Sequence, residues 1–285
     1  MDIGTLPEMT MDVLKAFNNG FGELVCVTPP GCELSPLSSI RPEDCGKAPG
    51  LRKANGQWTG YQWRSGKPLR SQMEFWVSWN SNIGLRSSRF PGIDIDVLDE
   101  VLAGEIENLA LRILGDAPRR VGLPPKRLLI YTTESPFPKR TLKFENDAKQ
   151  EFLVEVLAEG QQYVVSGIHP TTGKPYTCEP GLDTFISEEL SLIDEKQLEG
   201  FLDELRSFLS KKNYRSRISI SSGGERDLID QESLKGDPEM VAEAVALIPN
   251  DTTYDEWVRI GHAIKAALAG EEELALELWI QFSQR

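Results

Sequence analysis

The sequence predicts an α+β fold, with a mixed-sheet domain over residues 1–212, a linker over 213–237 and a small helical domain over 238–285. Three observations carry this reading. Short runs rich in branched apolar residues occur together with helix-length segments of 3.6-residue periodicity, which indicates sheet and helix in one domain. The Ser-Ser-Gly-Gly cluster at 221–224 interrupts both patterns, as a flexible connection does. Beyond it, apolar residues recur only at helical spacing.

Taken in order, residues 11–17 read as a short helix, and the Pro/Gly-rich stretch 28–50 as irregular chain wrapping the surface. Trp58, Tyr61, Trp63, Trp76 and Trp79 then fall in a basic interval. Aromatics among Arg and Lys can stack bases, although large aromatics more often anchor a core. Residues 92–97, Gly-Ile-Asp-Ile-Asp-Val, read as a strand with Ile93, Ile95 and Val97 on one face and Asp94 and Asp96 on the other. Residues 98–114 form an amphipathic helix that ends at Gly115. Strands are predicted at 127–132, 151–157 and 161–168, with Glu159-Gly160 as the turn between the last two, and a helix at 194–209. Helices at 238–247, 253–268 and 271–282 follow the linker, with Asp251 or Thr252 and Gly270 as boundaries. The helical pattern still runs at Arg285, so a longer parent protein is expected.

With 285 residues and 40% hydrophobic content, the chain is long enough for one large core and a small appended one. No apolar run reaches the roughly 18 residues that a membrane span requires, and the N-terminus lacks signal-peptide regions, so a cytoplasmic protein with no membrane partner is expected. The four cysteines do not make a disulfide scaffold. Cys26, Cys32 and Cys45 offer a weak zinc reading, since no Cys-x-x-Cys pair is present. A net charge of −13 argues at first against a nucleic-acid partner. Yet residues 41–90 carry nine Lys or Arg against three Asp or Glu, and residues 112–143 eight against two. Basic stretches on either side of the Asp pair are consistent with a basic channel leading to it.

Asp94 and Asp96 on one strand face have Cα atoms roughly 6.5–7 Å apart and can share divalent ions. Mg²⁺ takes only one or two protein carboxylates and completes its shell with water and substrate phosphates. The same alternation also describes a half-buried strand with a solvated acidic face. His169, one of two histidines, follows a predicted strand in Ser-Gly-Ile-His-Pro, where its imidazole can donate to phosphate oxygens or serve as an ordinary structural group.

Together, Asn82-Ile83-Gly84-Leu85-Arg86, the Asp94/Asp96 strand, Pro125-Lys126-Arg127-Leu128-Leu129-Ile130-Tyr131 and Ser166-Gly167-Ile168-His169-Pro170 resemble the bifunctional DNA primase/polymerase family of the archaeo-eukaryotic primase superfamily. The likeness covers most of residues 40–200, and Gly46-Lys47-Ala48-Pro49-Gly50 resembles the family's lead-in. Ala246-Leu247-Ile248-Pro249, Tyr254-Asp255-Glu256-Trp257 and Leu278-Trp279 resemble the helical primase C-terminal module. The resemblance implies template-directed nucleotidyl transfer, as a DNA primase and DNA polymerase, with two Mg²⁺ or Mn²⁺ ions. It also implies a single-stranded DNA template, nucleoside triphosphates and a helicase domain downstream in the full-length protein. By motif, Asp94 and Asp96 would bind metal and His169 the nucleotide phosphates, with Asp183, or else Asp194, as a third acid. Arg86, Lys126 and Arg127 are the implied nucleotide or DNA phosphate contacts. Thr132-Thr133 and Cys178 depart from the family's pattern, where many relatives carry arginine and tryptophan. Two readings compete: a nucleotide-sugar transferase built on the Asp-x-Asp, and a non-enzymatic replication-initiation module that binds DNA and recruits a helicase.

Overall fold

A computed structural model describes residues 11–221, 236–249, 254–268 and 270–284. The chain divides into two compact units, Met1–Gly224 and Glu225–Arg285. The predicted boundary at Asp251 or Thr252 and most of the predicted linker lie outside the described residues.

In the larger unit, α1 (Val13–Asn18) is capped by Asp12, whose carboxylate accepts from the Lys15 amide, and leads into β1 (Leu24–Val27). The irregular segment that follows carries a single 3₁₀ turn at Pro42–Asp44 and the two-residue strands β2 (Leu51–Arg52) and β3 (Trp58–Thr59). Next come α2 (Arg70–Ser78), β4 (Asn82–Arg86), β5 (Gly92–Asp96) and α3 (Glu100–Leu114). Asp99 caps α3 by accepting from the Leu102 amide, and Gly115, at φ +96°, ends it. The strands β6 (Arg119–Val121), β7 (Arg127–Ile130), β8 (Lys139–Glu145), β9 (Glu151–Leu157), β10 (Gln162–Ser166) and β11 (Thr177–Glu179) precede α4 (Glu195–Lys211) and β12 (Arg215–Ser221).

These strands form a seven-stranded sheet, β11-β6-β7-β5-β9-β8-β12, and a three-stranded sheet, β1-β4-β10. Ladders between the named strands are antiparallel, and among the described residues parallel pairing is confined to the isolated bridges Leu34–Trp58 and Thr132–Leu192. One face of the large sheet, including Ile93, Ile95, Leu142, Val154 and Val156, packs against the apolar faces of α3 and α4. A second core joins α1, α2 and the small sheet to Leu128 and Ile130 on the opposite face. Each fully buried Ile or Leu contributes about 1.5–3 kcal/mol of transfer free energy, so the two cores fix which way every strand faces.

The order of strands departs from the sequence reading in three places. Residues 157–162 do not close a hairpin: β9 pairs with β5 and β8, whereas β10 crosses to the small sheet beside β4. The hairpin partner of β9 is β8, whose Lys-Arg-Thr-Leu-Lys-Phe-Glu charges obscure the alternation that buries Leu142 and Phe144. The segment predicted as linker from residue 213 begins with β12, which pairs with β8 along its length. Its Arg-Ser-Arg-Ile-Ser-Ile-Ser alternation is a strand pattern, masked in sequence by the adjoining Gly-rich chain.

The second unit contains α5 (Pro238–Leu247), α6 (Tyr254–Ala267) and α7 (Glu272–Ser283). Val245, Ile264, Leu268, Ala275, Leu278 and Phe282 form its core. The Trp257 and Trp279 rings lie 4.8 Å apart, and a Cβ at Gly261 would sit 2.7 Å from Trp279, so glycine lets that indole lie against α6. No described helix in either unit is long and apolar enough to cross a membrane.

Phe201, on the inner face of α4, is fully buried in the larger core. Phe201→Ala is expected to destabilise the chain by about 3–5 kcal/mol, read as a lower denaturant midpoint at unchanged slope.

Candidate active site

The register of the large sheet builds the site. Arg120 on β6 lies opposite Leu128 on β7, Leu128 opposite Asp94 on β5, Asp94 opposite Glu155 on β9, and Glu155 opposite Thr141 on β8. Directly paired residues share a sheet face, so one row perpendicular to the strands carries Arg120, Asp94 and Glu155. This is the face turned away from α3 and α4. Asp96, two residues on, projects from the same face.

Above this row is a cleft of about 320 Å³ into which Asp94, Asp96, Arg120 and Lys126 converge with Lys47, Gln162, His169 and Tyr176. Lys126 is ion-paired with Asp96. Beside the cleft, Glu155 is held by Lys139 at 2.5 Å and accepts from the Thr141 hydroxyl at 3.5 Å. Burial is the main effect holding the Asp94 carboxyl above its ordinary range; Asp96 and Glu155 add to it, and Arg120 and Lys126 oppose it. The Arg120 guanidinium lies 5.3 Å over the Tyr176 ring, and its buried Nε has no hydrogen-bond partner.

His169 is delivered by a backbone that only particular residues permit. After β10, Gly167 adopts φ +111°, and a Cβ there would fall 2.1 Å from Asn82 Oδ1. Asn82 is buried at the start of β4. Its amide nitrogen donates to the carbonyls of Gly46 (2.9 Å) and Ile168 (2.8 Å), and its Oδ1 accepts from the Ile168 amide (2.8 Å). One side chain therefore ties together the two loops that carry Lys47 and His169. The ring nitrogen Nδ1 accepts from the amides of Thr171 and Thr172, each at 3.2 Å, which leaves the neutral ring's proton on Nε2. Gly122 brings the β6–β7 loop against this ring; a Cβ there would sit 2.6 Å from His169 Cδ2 and 2.4 Å from Tyr176 Cε1. Burial, then Lys47, Arg120 and Lys126, hold the imidazole below its ordinary value of 6.5.

Of the residues singled out by sequence, Asp94, Asp96, Lys126 and His169 line the cleft together. The others lie elsewhere. Arg86 is buried, paired with Glu23 at 2.5 Å, and donates to the carbonyls of Trp63 and Arg64. Arg127 pairs with Glu100 (2.8 Å) at the start of α3 and Glu107 (2.5 Å) in its middle, which commits its guanidinium to holding helix against sheet. The Asp183 carboxylate accepts from the Asp12 amide and does not line the cleft. Asp194 caps α4 in a reciprocal arrangement with Gln197, so its carboxylate has a helix-terminal role. Sequence reasoning missed Lys47 as a cleft residue, Arg120 and Glu155. The alternation Phe152, Val154, Val156 places Glu155 on the polar face of its strand, a signal that becomes specific only with the pairing to β5.

Cys32 and Cys45 approach to 3.4 Å between sulfurs, while Cys26 is buried with its thiol pushed up to about 12. Among the described residues no three His, Cys, Asp or Glu side chains gather closely enough to enclose a metal ion by themselves, so the three cysteines form no zinc set.

Residues 241–285 match the Primase C terminal 2 (PriCT-2) family. This match supports a primase-related protein. No curated protein was found to be similar in sequence.

Two outcomes are expected from this geometry. In ¹⁵N-detected NMR of His169, Nδ1 should be unprotonated and Nε2 protonated at pH 7, with a titration midpoint below 6.5. Because the unfolded chain takes up this proton more readily, the His169 contribution to stability is present above the ordinary pKa. It declines as pH falls through the window below it. Asn82→Ala leaves buried polar groups of Gly46 and Ile168 without partners, and should cost about 1–3 kcal/mol in denaturant unfolding and shift the His169 ring resonances.

Proposed function

We propose that this chain carries out template-directed nucleotidyl transfer, as a DNA primase and DNA polymerase, at the Asp94/Asp96 cleft. The observation that carries the reading is the convergence in one cleft of two carboxylates from the central strand with Lys47, Arg120, Lys126 and His169. The PriCT-2 match supports the same direction from a different part of the chain.

The donor set fits Mg²⁺ or Mn²⁺. Asp94 and Asp96 are hard oxygen donors, and Mg²⁺ needs only one or two protein carboxylates beside substrate phosphates. The raised Asp94 carboxyl, crowded by Asp96 and Glu155, is a site where added positive charge is favourable. Asp94 and Asp96 would hold the ions, and Glu155, held by Lys139 beside the cleft, adds negative charge to their row without joining them as a ligand. Bound divalent ions lower the pKa of an attacking hydroxyl and neutralise charge on the triphosphate.

The remaining roles belong to the chain's own side chains. Lys47 and Arg120 supply fixed positive charge for the phosphates, as does Lys126, which is held beside Asp96 until an anion competes for it. His169 Nε2–H donates to a phosphate oxygen, and the Thr171 and Thr172 amides keep that nitrogen the protonated one. These contacts orient the nucleotide so that a primer 3′-hydroxyl, or a first nucleotide, attacks the α-phosphorus with loss of pyrophosphate.

Nucleotide incorporation on primed and unprimed single-stranded DNA with Mg²⁺ or Mn²⁺ tests this. Asp94→Ala/Asp96→Ala should lower incorporation at least about 100-fold, since charge stabilisation by the ions is worth several kcal/mol. Glu155→Gln should lower it in the same direction, whereas Asp183→Asn should leave it within about 3-fold of wild type. DNA binding without incorporation under either metal by the folded wild-type chain would overturn the catalytic reading in favour of a binding module.

A further inference from the structure

The aromatic, basic interval singled out in sequence separates into two populations. Trp58 and Trp76 are each 3% exposed in the second core, and Trp79 packs against that core. Tyr61 is half-buried, with its hydroxyl committed to accepting from the Cys26 amide. Trp63, also half-buried, differs in its neighbours: it packs on the small cluster Val25, Val27, Val164 and Tyr176, of which Val164 and Tyr176 line the cleft.

The Arg64 guanidinium lies 5.2 Å from the centre of the Trp63 ring. Arg64, Lys67 and Arg70 are exposed, and no acidic residue occurs between Tyr61 and Gln72. The backbone at this point is fixed from below: Arg86, neutralised by Glu23, donates to the carbonyls of both Trp63 and Arg64, each at 3.2 Å. Arg64 Nε also donates to Gly160, in the turn that precedes β10. Burying an arginine is a costly way to hold an exposed loop, and here its hydrogen bonds position the interval aromatic that packs on residues lining the cleft.

We propose that Trp63 and Arg64 form a platform on which a base of single-stranded nucleic acid stacks as the strand enters the cleft, with Arg86 as the residue that positions it. The inference rests on the proposed function for the identity of the strand as template. Three exposed cations spread along residues 64–70 suit successive phosphates of a chain better than a single nucleotide.

The test is fluorescence anisotropy of a short dye-labelled single-stranded oligonucleotide with the full chain, together with incorporation on a primed template. Trp63→Ala should weaken binding by about 5- to 100-fold, the range of one base–aromatic stack, while Trp63→Phe stays within about 3-fold of wild type. Arg64→Gln, a change at an exposed side chain that leaves Trp63 on its apolar cluster while removing the guanidinium from the ring, should weaken binding and make the log–log salt slope shallower by about 0.7, one phosphate contact. Thermal melting identifies a Trp63→Ala that fails to fold, in which case Arg64→Gln and Trp63→Phe decide. Wild-type binding by folded Trp63→Ala and by Arg64→Gln would overturn the platform. So would a loss confined to free nucleoside triphosphate, measured by calorimetry. The two proposals fail separately. Asp94→Ala/Asp96→Ala should abolish incorporation yet bind the oligonucleotide, and a wild type that incorporates nothing but loses binding on Trp63→Ala would keep the platform and remove the polymerase.

Discussion

The antiparallel pairing of β5 with both β7 and β9 is the constraint on which the rest of the larger unit depends. A central strand cannot be re-registered by one residue without turning Ile93 and Ile95 to the polar face and driving Asp94 and Asp96 into the core. Burial of the two isoleucines against α3 and α4 therefore fixes the direction of the carboxylates as firmly as it fixes the core. The same ladders decide which side chains can join them. Because pairing is antiparallel and in register across three ladders, Arg120, Asp94 and Glu155 arrive on one row from distant points in sequence.

Charge follows a similar logic. The two basic stretches flank the Asp strand in sequence, but most of their cations have partners outside the cleft. Arg86 holds Glu23, Arg127 holds Glu100 and Glu107, Arg140 holds Glu195, and Lys139 holds Glu155. Lys47, Arg120 and Lys126 are the ones that line the cleft, so the local field there is set by a few side chains rather than by the surplus that counting suggests. The net charge of −13 remains compatible with an anionic ligand, since screening within about 10 Å separates a cleft from acid on remote surfaces.

The α+β class, the central strand, α3, α4 and the three terminal helices were legible because each has an unbroken period or a clear cap: Asp99 and Gly115 bound α3, and Asp194 opens α4. Asp94, Asp96, Lys126 and His169 were legible as parts of compact motifs. What could not be read were relations between strands. The β8 strand hides under its own charges, and β12 beside a glycine cluster. The turn at 159–160 looks like a hairpin, yet β9 and β10 belong to different sheets. Arg120 reaches the cleft, and Glu155 the row beside it, only through pairing partners far away in sequence, and no local pattern encodes that. Arg86 and Arg127 were misplaced for the converse reason: an arginine next to a motif reads the same whether it meets phosphate or a buried glutamate.

Buried polar groups mark where this fold gives up packing for position. Asn82 and Arg86, at the two ends of β4, are both buried, and neither is a core residue by chemistry. Desolvating an amide or a guanidinium is unfavourable unless its hydrogen bonds are well met, and an apolar side chain of similar volume would pack without that cost. Both instead bind loop backbone: Asn82 joins Gly46 to Ile168, and Arg86 holds Trp63 and Arg64. The segments so fixed carry Lys47, His169 and the Trp63 platform, all tied to the small sheet through β4. The large sheet fixes its carboxylates by register alone. Irregular chain has no register, so these segments need side-chain hydrogen bonds to locate their charges, and β4 is the strand that provides them at both ends.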